Sequence, residues 1–398
     1  MKKKILIVMV HSLYPISHGG ILRVIEELKF LSQNGFEVHI IGNRTNKIGL
    51  DIVEKYSGAK AYTFSKITYL TASILSKLGF LTLGWIYNPL VKRDIEKIVV
   101  KIRPDIVQAE FIHVAFQVSR ICKKFNIPFI ISEHNVESIR LLEEGNVSGS
   151  NIKLIERNVC NFANFISTVS DKDKEELRKI GVISPIKVIP NGIDYGRYQI
   201  TNEDKERLRK KYGIKKEDIV LIFHGTLSYL PNLIANKLSK EFIFPNLNKI
   251  QKNLKLLLIG PGRSLNIGSK IIELPEIPFG ELPIHLSMGD IGIVPLIAGS
   301  GTRLKIIEYL ALGIPTVSTK VGAEGLPISD GENIIIAKDA KDDFIEKTYK
   351  LINDSQLRKR LNENGKKLAK EKLDWNVVLK GYLEIYKELE QIDNISRD

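Results

Sequence analysis

One rhythm constrains this chain more than any other feature, and the chain carries it twice. Short, predominantly apolar runs alternate with segments of helical periodicity. In the first half the runs fall at residues 5–10, 38–41, 106–109, 129–132 and 165–169, with helical patterns at 22–34, 88–102, 113–125 and 171–180. Apolar runs without in-out alternation are what strands buried on both faces require, and the helices between them supply the crossovers of a parallel sheet. The pattern restarts after Arg197, with runs at 220–223, 255–259, 291–294, 316–318 and 333–336. A turn cluster, Ile189-Pro190-Asn191-Gly192-Ile193-Asp194, closes the first half, and an amphipathic helix at about 377–391 follows Trp375. The expectation is an α/β protein of two Rossmann-like domains, 1–197 and 198–375. At 398 residues the chain is too long for one simple core. Two such halves would enclose a cleft at the carboxyl ends of their strands, where open α/β sheets bind ligands.

The loops after the predicted strands hold the chemistry. The most informative is Gly299-Ser300-Gly301-Thr302-Arg303-Leu304-Lys305, which opens a short amphipathic helix ending at Gly313, with Glu308 one turn in and Pro315 beyond. Small residues leave backbone N–H groups open to an anion, and the helix N-terminus adds partial positive charge. Arg303 and Lys305 stand where each cation opposes the helix dipole by about 0.3–1 kcal/mol. Their presence beside a glycine loop points to a bound diphosphate, with Glu308 as acceptor for sugar hydroxyls. Gly19-Gly20 after the first strand, His224-Gly225-Thr226 and Gly260-Pro261-Gly262-Arg263 repeat the glycine device. Arg263 is a candidate third cation. Ser132-Glu133-His134-Asn135-Val136-Glu137 gathers polar groups at another strand end, with His134 placed to meet a sugar hydroxyl or a phosphate.

Other functions are disfavoured. The loop at Gly19-Gly20 lacks Gly-x-Gly-x-x-Gly, which argues against a nicotinamide enzyme, and there is no phosphate-binding lysine loop of the P-loop type. Asp171-Lys172-Asp173 reads as the capped start of a helix after Ser170 rather than a metal site. No other His, Cys and carboxylate set resembles a ligand cage, so no metal and no cofactor are expected. Cys122 and Cys160 read as reduced core residues of a cytoplasmic protein. The run after Met1-Lys2-Lys3-Lys4 is too short for a signal peptide and reads as a first strand. The formal net charge is +13. Without a nucleic-acid motif, that surplus points to an anionic small ligand and to a peripheral contact with anionic lipid. Residues 78–91 are too short to span a bilayer and read as a core helix or an interfacial segment.

Together these residues resemble the retaining glycosyltransferases of the GT-B fold known as glycosyltransferase family 4. The likeness rests on Val188 to Asp194, on Phe223-His224-Gly225-Thr226-Leu227-x-Tyr229-x-Pro231-Asn232, on the Gly301 to Pro315 block, and on Asp330-Gly331-x-Asn333. It implies that the second domain binds a nucleotide-sugar donor and the first a glycan or lipid-linked acceptor. It also implies that the last helix, about 376–398, crosses back to the first domain. The family's usual Glu-x7-Glu has Ser300 in place of its first glutamate. Its usual Arg and Lys near the start of the second domain are replaced, with Thr226 and Asn232 in that stretch, as in a branch carrying Gly-Thr-Arg-Leu-Lys. On this reading Arg303, Lys305 and the N–H groups of residues 300–303 stabilise the leaving diphosphate. Thr302 belongs to the same loop, Glu308 holds ribose hydroxyls, Gly225 and Gly262 let the donor approach, and Gly19 and Gly20 pass near donor phosphate or acceptor. His134 sits near sugar and acceptor. Rival readings of the same fold are a nucleotide-sugar epimerase and an inactive binding scaffold. Cell-surface polysaccharide or glycoconjugate assembly is the expected setting, at the inner face of the membrane.

Overall fold

The computed structural model describes residues 2–15, 19–43, 45–77, 85–143, 149–299 and 301–395. The chain divides into two compact units, Met1–Pro190 with Val378–Asp398, and Asn191–Val377. The expected boundaries were 197/198 and 375/376.

In unit 1, the described strands form a parallel sheet of seven in the order β3-β2-β1-β4-β5-β6-β7. They are β1 (Lys4–Ser12), β2 (Glu37–Asn43), β3 (Lys60–Thr63), β4 (Ile106–Glu110), β5 (Phe129–Glu133), β6 (Phe165–Thr168) and β7 (Ile186–Val188). The central strands are the predicted apolar runs, and their side chains are buried on both faces. β3 and β7 lie at the sheet edges and carry mixed sequences, so no continuous apolar run announced them. The last helix, Lys380–Ile395, belongs to this unit. Its Tyr382 hydroxyl meets Ser132 Oγ (3.0 Å) and Ser167 Oγ (3.1 Å), and its Tyr386 hydroxyl donates to Gln108 Oε1 (3.0 Å).

Unit 2 repeats the plan with strand order β10-β11-β9-β8-β12-β13-β14, all parallel except the β10–β11 pair. These are β8 (Ile219–His224), β9 (Leu254–Ile259), β10 (Asn266–Ile267), β11 (Ile271–Leu274), β12 (Ile291–Val294), β13 (Thr316–Thr319) and β14 (Ile335–Ala337). Apart from the exposed β10, their apolar residues form one continuous core with the flanking helices. β8, β9 and β12 deliver their carboxyl ends to the glycine loops at 225, 260–262 and 299–301.

Candidate functional site

The polar cluster of unit 2 is built on three loops and one helix. After β8 the chain turns through Gly225 (φ 148°), after β9 through Gly260 (φ 132°) and Gly262 (φ 89°), and beyond β12 through Gly299 (φ 114°) and Gly301 (φ 75°). These conformations exclude most side chains. Space does so too: a Cβ on Gly225 would stand 2.7 Å from Asn232 Nδ2 and 3.0 Å from Lys305 Nζ. At Gly301 a Cβ would meet open space, so the loop there is accessible. The helix Leu304–Leu312 starts at Arg303 without a side-chain cap and ends at Gly313 in the left-handed region.

Lys305 is the unusual group. It is buried, its ammonium donates to the amide oxygen of Asn232 (2.7 Å), and it lies 4.2 Å from the centroid of the Phe223 ring. Burial, with Arg303 and Arg263 adding like charge against the pull of Glu308, pushes its pKa down to about 7. Arg303, also buried, donates through Nη1 to the carbonyl of Gly301. Thr302 Oγ1 accepts from the Asn191 amide. Arg263 braces the loops: Nη1 donates to the carbonyls of Gly225 (2.7 Å), Ile259 (3.1 Å) and Gly260 (3.3 Å), and Nη2 to Asn236 Oδ1 (2.8 Å). Burial lowers its pKa to about 10.

Glu308 is held from both sides. Its Oε1 accepts from the Tyr198 hydroxyl (2.9 Å) and its Oε2 meets His224 Nε2 (2.7 Å), while His224 Nδ1 meets the Tyr309 hydroxyl (2.9 Å). Burial would raise its pKa, but His224, Tyr198 and Lys305 outweigh that and hold it below the usual carboxylate range. Each carboxylate oxygen has a second lone pair, so hydroxyl groups of a ligand can still be accepted. Ser300 lies outside the described residues.

Unit 1 carries a different cluster, beneath the helix Gly19–Gln33 that Gly19 and Gly20 begin. Arg23 in that helix donates to the carbonyls of Ile189 (2.8 Å) and Pro190 (2.9 Å). Gln108 Nε2 bridges Glu27 Oε1 (2.6 Å) and Glu110 Oε1 (2.5 Å), and Glu110 Oε2 meets His134 Nε2 (2.7 Å). Burial lowers the His134 pKa against the pull of Glu110, so the ring is neutral at pH 7 and donates to that carboxylate. Its sequence neighbours point elsewhere. Glu137 pairs with Arg140 Nη2 (2.6 Å) and is held at about 2, where Arg140 and His113 outweigh its burial. Ser170 caps the helix Asp171–Lys179 by accepting from the Asp173 N–H (3.1 Å), the role read from the sequence. Cys122 and Cys160 are buried, and burial alone pushes the Cys122 thiol up to about 12. Of residues 78–91, 78–84 lie outside the described residues; Trp85, Ile86 and Val91 are buried and Tyr87 is exposed. Among the described residues no helix is long and apolar enough to cross a membrane.

The sequence pointed to the glycines, the cations and His134. It missed Tyr198 and the Glu27–Gln108–Glu110 relay, and it quoted Asn232 and Tyr309 within motifs without giving them these contacts. His224 stood in a quoted motif, and its place at the end of β8 just before Gly225 was the available signal.

Comparisons with known proteins agree with this architecture. Residues 18–197 match the model for Glycosyltransferase Family 4, and residues 218–354 match that for Glycosyl transferases group 1. Together the two matches make this chain a group 1 glycosyltransferase of the GT-B fold. It is 38% identical over 90 residues to an uncharacterized glycosyltransferase of Methanocaldococcus jannaschii, covering 22% of this chain and 25% of that protein. It is 22% identical over 195 residues to a GDP-mannose-dependent alpha-(1-6)-phosphatidylinositol monomannoside mannosyltransferase of Mycolicibacterium smegmatis, covering 44% and 49%. The matches thus span a quarter and about half of those relatives' lengths. In structure the chain is similar to HepE of Anabaena, crystallised with UDP and glucose, with a TM-score of 0.74 at 16% identity, covering 97% of this chain and all of that one.

Proposed function

We propose that this protein transfers a sugar, with retention at the anomeric carbon, from a nucleotide-sugar bound in unit 2 to a glycan or lipid-linked acceptor bound in unit 1. The observation that carries the reading is Lys305: a buried ammonium whose hydrogen-bond partner is a neutral amide, beside a second buried cation. Burial and like charge disfavour an ammonium there, and a bound diphosphate would offset both. Lys305 also accounts for the family's missing cation. Its Nζ sits on Asn232, within the stretch where relatives of this type carry Arg and Lys, so the charge reaches the same loop from another helix.

In this reading Arg303, Lys305 and the N–H groups of residues 300–303 stabilise the charge growing on the leaving nucleoside diphosphate, an electrostatic contribution of about 3–4 kcal/mol per well-placed donor. Glu308, oriented by His224 and Tyr198, receives ribose hydroxyls. The braced loops at Gly225 and Gly262 let the donor approach, with Arg263 as their brace. His134 serves the sugar and the acceptor in unit 1, and Gly19 and Gly20 lie along the ligand's path. The chemistry asks for no metal or cofactor. The Anabaena structure favours UDP as the first nucleotide to try, and the mycobacterial relative makes GDP the second. The test is a thermal-shift series with UDP, GDP, ADP and CMP and their sugars, with Arg303→Ala as control. A ligand at a hundred times its Kd adds about 2.7 kcal/mol of stability. A shift with one nucleotide that the variant loses supports the donor site; no shift with any of them removes the transferase reading and leaves a binding scaffold.

A membrane-proximal acceptor is supported by the helix Lys66–Lys77. Its large residues face outward, with Ile67 60%, Leu70 46% and Ile74 57% exposed, while Thr68 and Ala72 are buried. The helix sequence has lysine at both ends and no acid, which suits an anionic lipid surface at the cytoplasmic face. Ile67→Ser with Ile74→Ser should abolish co-sedimentation with phosphatidylglycerol vesicles without altering nucleotide binding. Equal pelleting of both proteins would remove the membrane contact.

A further inference from the structure

Three non-glycine residues among those described have positive φ. Arg103 and Asn126 are left-handed caps at the carboxyl ends of helices, where such a conformation satisfies orphan carbonyls. Phe111 has no such excuse. It stands directly after β4 and before the helix Ile112–Phe125, at φ 66° and ψ 155°, and accepts no capping duty. Its own N–H is tied to the carbonyl of Ser132 on β5 (2.9 Å). A bulky residue stays in so sparse a region only when its surroundings force it, and such residues gather at binding sites.

The strain aims the ring into a nest of imidazoles. His134 lies 4.1 Å from it between centroids, tilted by 34°. His11, near the end of β1, meets it edge-on at 5.0 Å and 76°, and His113 at 6.2 Å and 68°. Phe111 itself is half-buried, so part of its surface is open. These rings come from the carboxyl ends of three neighbouring strands and the helix after one of them, the ligand-binding edge of an open α/β sheet.

We propose that Phe111, with His11 and His113 at its edges, is the platform in unit 1 that receives a pyranose ring of the acceptor. This rests on the transferase reading above and adds that the acceptor presents a sugar ring to the protein. An aromatic face carries negative quadrupole density and attracts the C–H groups of a pyranose, while the part-exposed imidazole of His11 can donate to or accept from its hydroxyls. An anionic head group fits less well, because Glu27, Glu110 and Glu133 are buried close to the same strand ends.

The experiment uses the full chain and saturation-transfer NMR with methyl glucosides, galactosides, mannosides and N-acetylglucosaminides at millimolar concentration. UDP and GDP binding are measured in parallel. The platform variant is Phe111→Gly, which removes the ring and suits the positive φ, with unchanged nucleotide binding as the check that it folds; Phe111→Tyr restores a ring. Saturation of one glycoside's ring protons, with binding roughly threefold to tenfold weaker in Phe111→Gly and regained in Phe111→Tyr, is the expected result. If a nucleotide binds but no glycoside does, or if Phe111→Gly binds the glycoside unchanged, the platform is wrong and the transferase reading stands. If neither nucleotide nor glycoside binds, both fall.

Discussion

The two units place polar clusters at the carboxyl ends of parallel strands, yet their charge balance is opposite. In unit 2, Lys305, Arg303 and Arg263 are buried, and Glu308 beside Lys305 is engaged by His224 and Tyr198. In unit 1, Glu27, Glu110 and Glu133 are buried with Arg23 and a neutral His134. Burial and the neighbouring carboxyl groups raise Glu27 and Glu133 well above the ordinary carboxylate range, so a further negative charge beside them is disfavoured. The acids of unit 1 disfavour a further anion; the cations of unit 2 favour one. One fold therefore presents a site for an anion and a site for something neutral and hydroxylated.

The largest expected effect breaks this comparison at Lys305. Lys305→Met keeps the stem and removes the buried charge, so the ligand-free protein should be at least as stable as the parent. Sugar transfer should fall by about 10²–10³ if this ammonium faces the leaving diphosphate. Denaturant unfolding and donor turnover, measured on the same preparation, check both halves. A variant that loses stability and keeps turnover would show that Lys305 is a structural residue.

The next effect is in pH. The Lys305 pKa is lowered to about 7 in the folded protein, against about 10.4 for a free lysine. Between those values the unfolded chain holds a proton that the folded one lacks, so this group makes stability rise with pH from about 7 to about 10.4. A bound diphosphate favours the charged ammonium, so binding above pH 7 takes up a proton. Affinity for a nucleotide-sugar should therefore fall as pH rises above 7, by up to about tenfold per unit. An intact nucleotide-sugar avoids the terminal phosphate's own titration near pH 6. Calorimetry in buffers of different ionisation enthalpy reads the proton directly, and Lys305→Met should show none. A parent affinity that is flat from pH 7 to 9 would place the anion away from Lys305.

How much of this the sequence displayed depends on whether the signal was local. Glycines at 225, 262 and 301 and cations at a helix start are anomalies within a few residues, and they stood out. Glu308 was visible, but the partners that set its charge, Tyr198 and His224, lie far along the chain and meet it only through the fold. The Glu27–Gln108–Glu110 relay spans a helix and a strand in the same way. The helix Lys66–Lys77 escaped because its pattern is inverted, with Thr68 inward on Asp94 Oδ2 (2.6 Å) and isoleucines outward. Strands β3, β10 and β11 lie at or next to a sheet edge, where mixed burial removes the continuous apolar run that marks a central strand.

The smallest effect sharpens the acidic side of the comparison. Glu133 ends β5 with its Oε1 buried and without a hydrogen-bond partner among the described residues, whereas Glu137, four residues on, is ionised and paired with Arg140. If Glu133 holds a proton at pH 7, Glu133→Gln replaces one neutral group with another of the same shape, and stability should move by no more than about 0.5 kcal/mol. Glu137→Gln, by contrast, leaves Arg140 and His113 facing a neutral amide and should cost about 1–3 kcal/mol. Both are read by denaturant unfolding at pH 7. A loss at Glu133 as large as that at Glu137 would mean that Glu133 is ionised. The two units would then differ in the sign of a buried charge rather than in its presence.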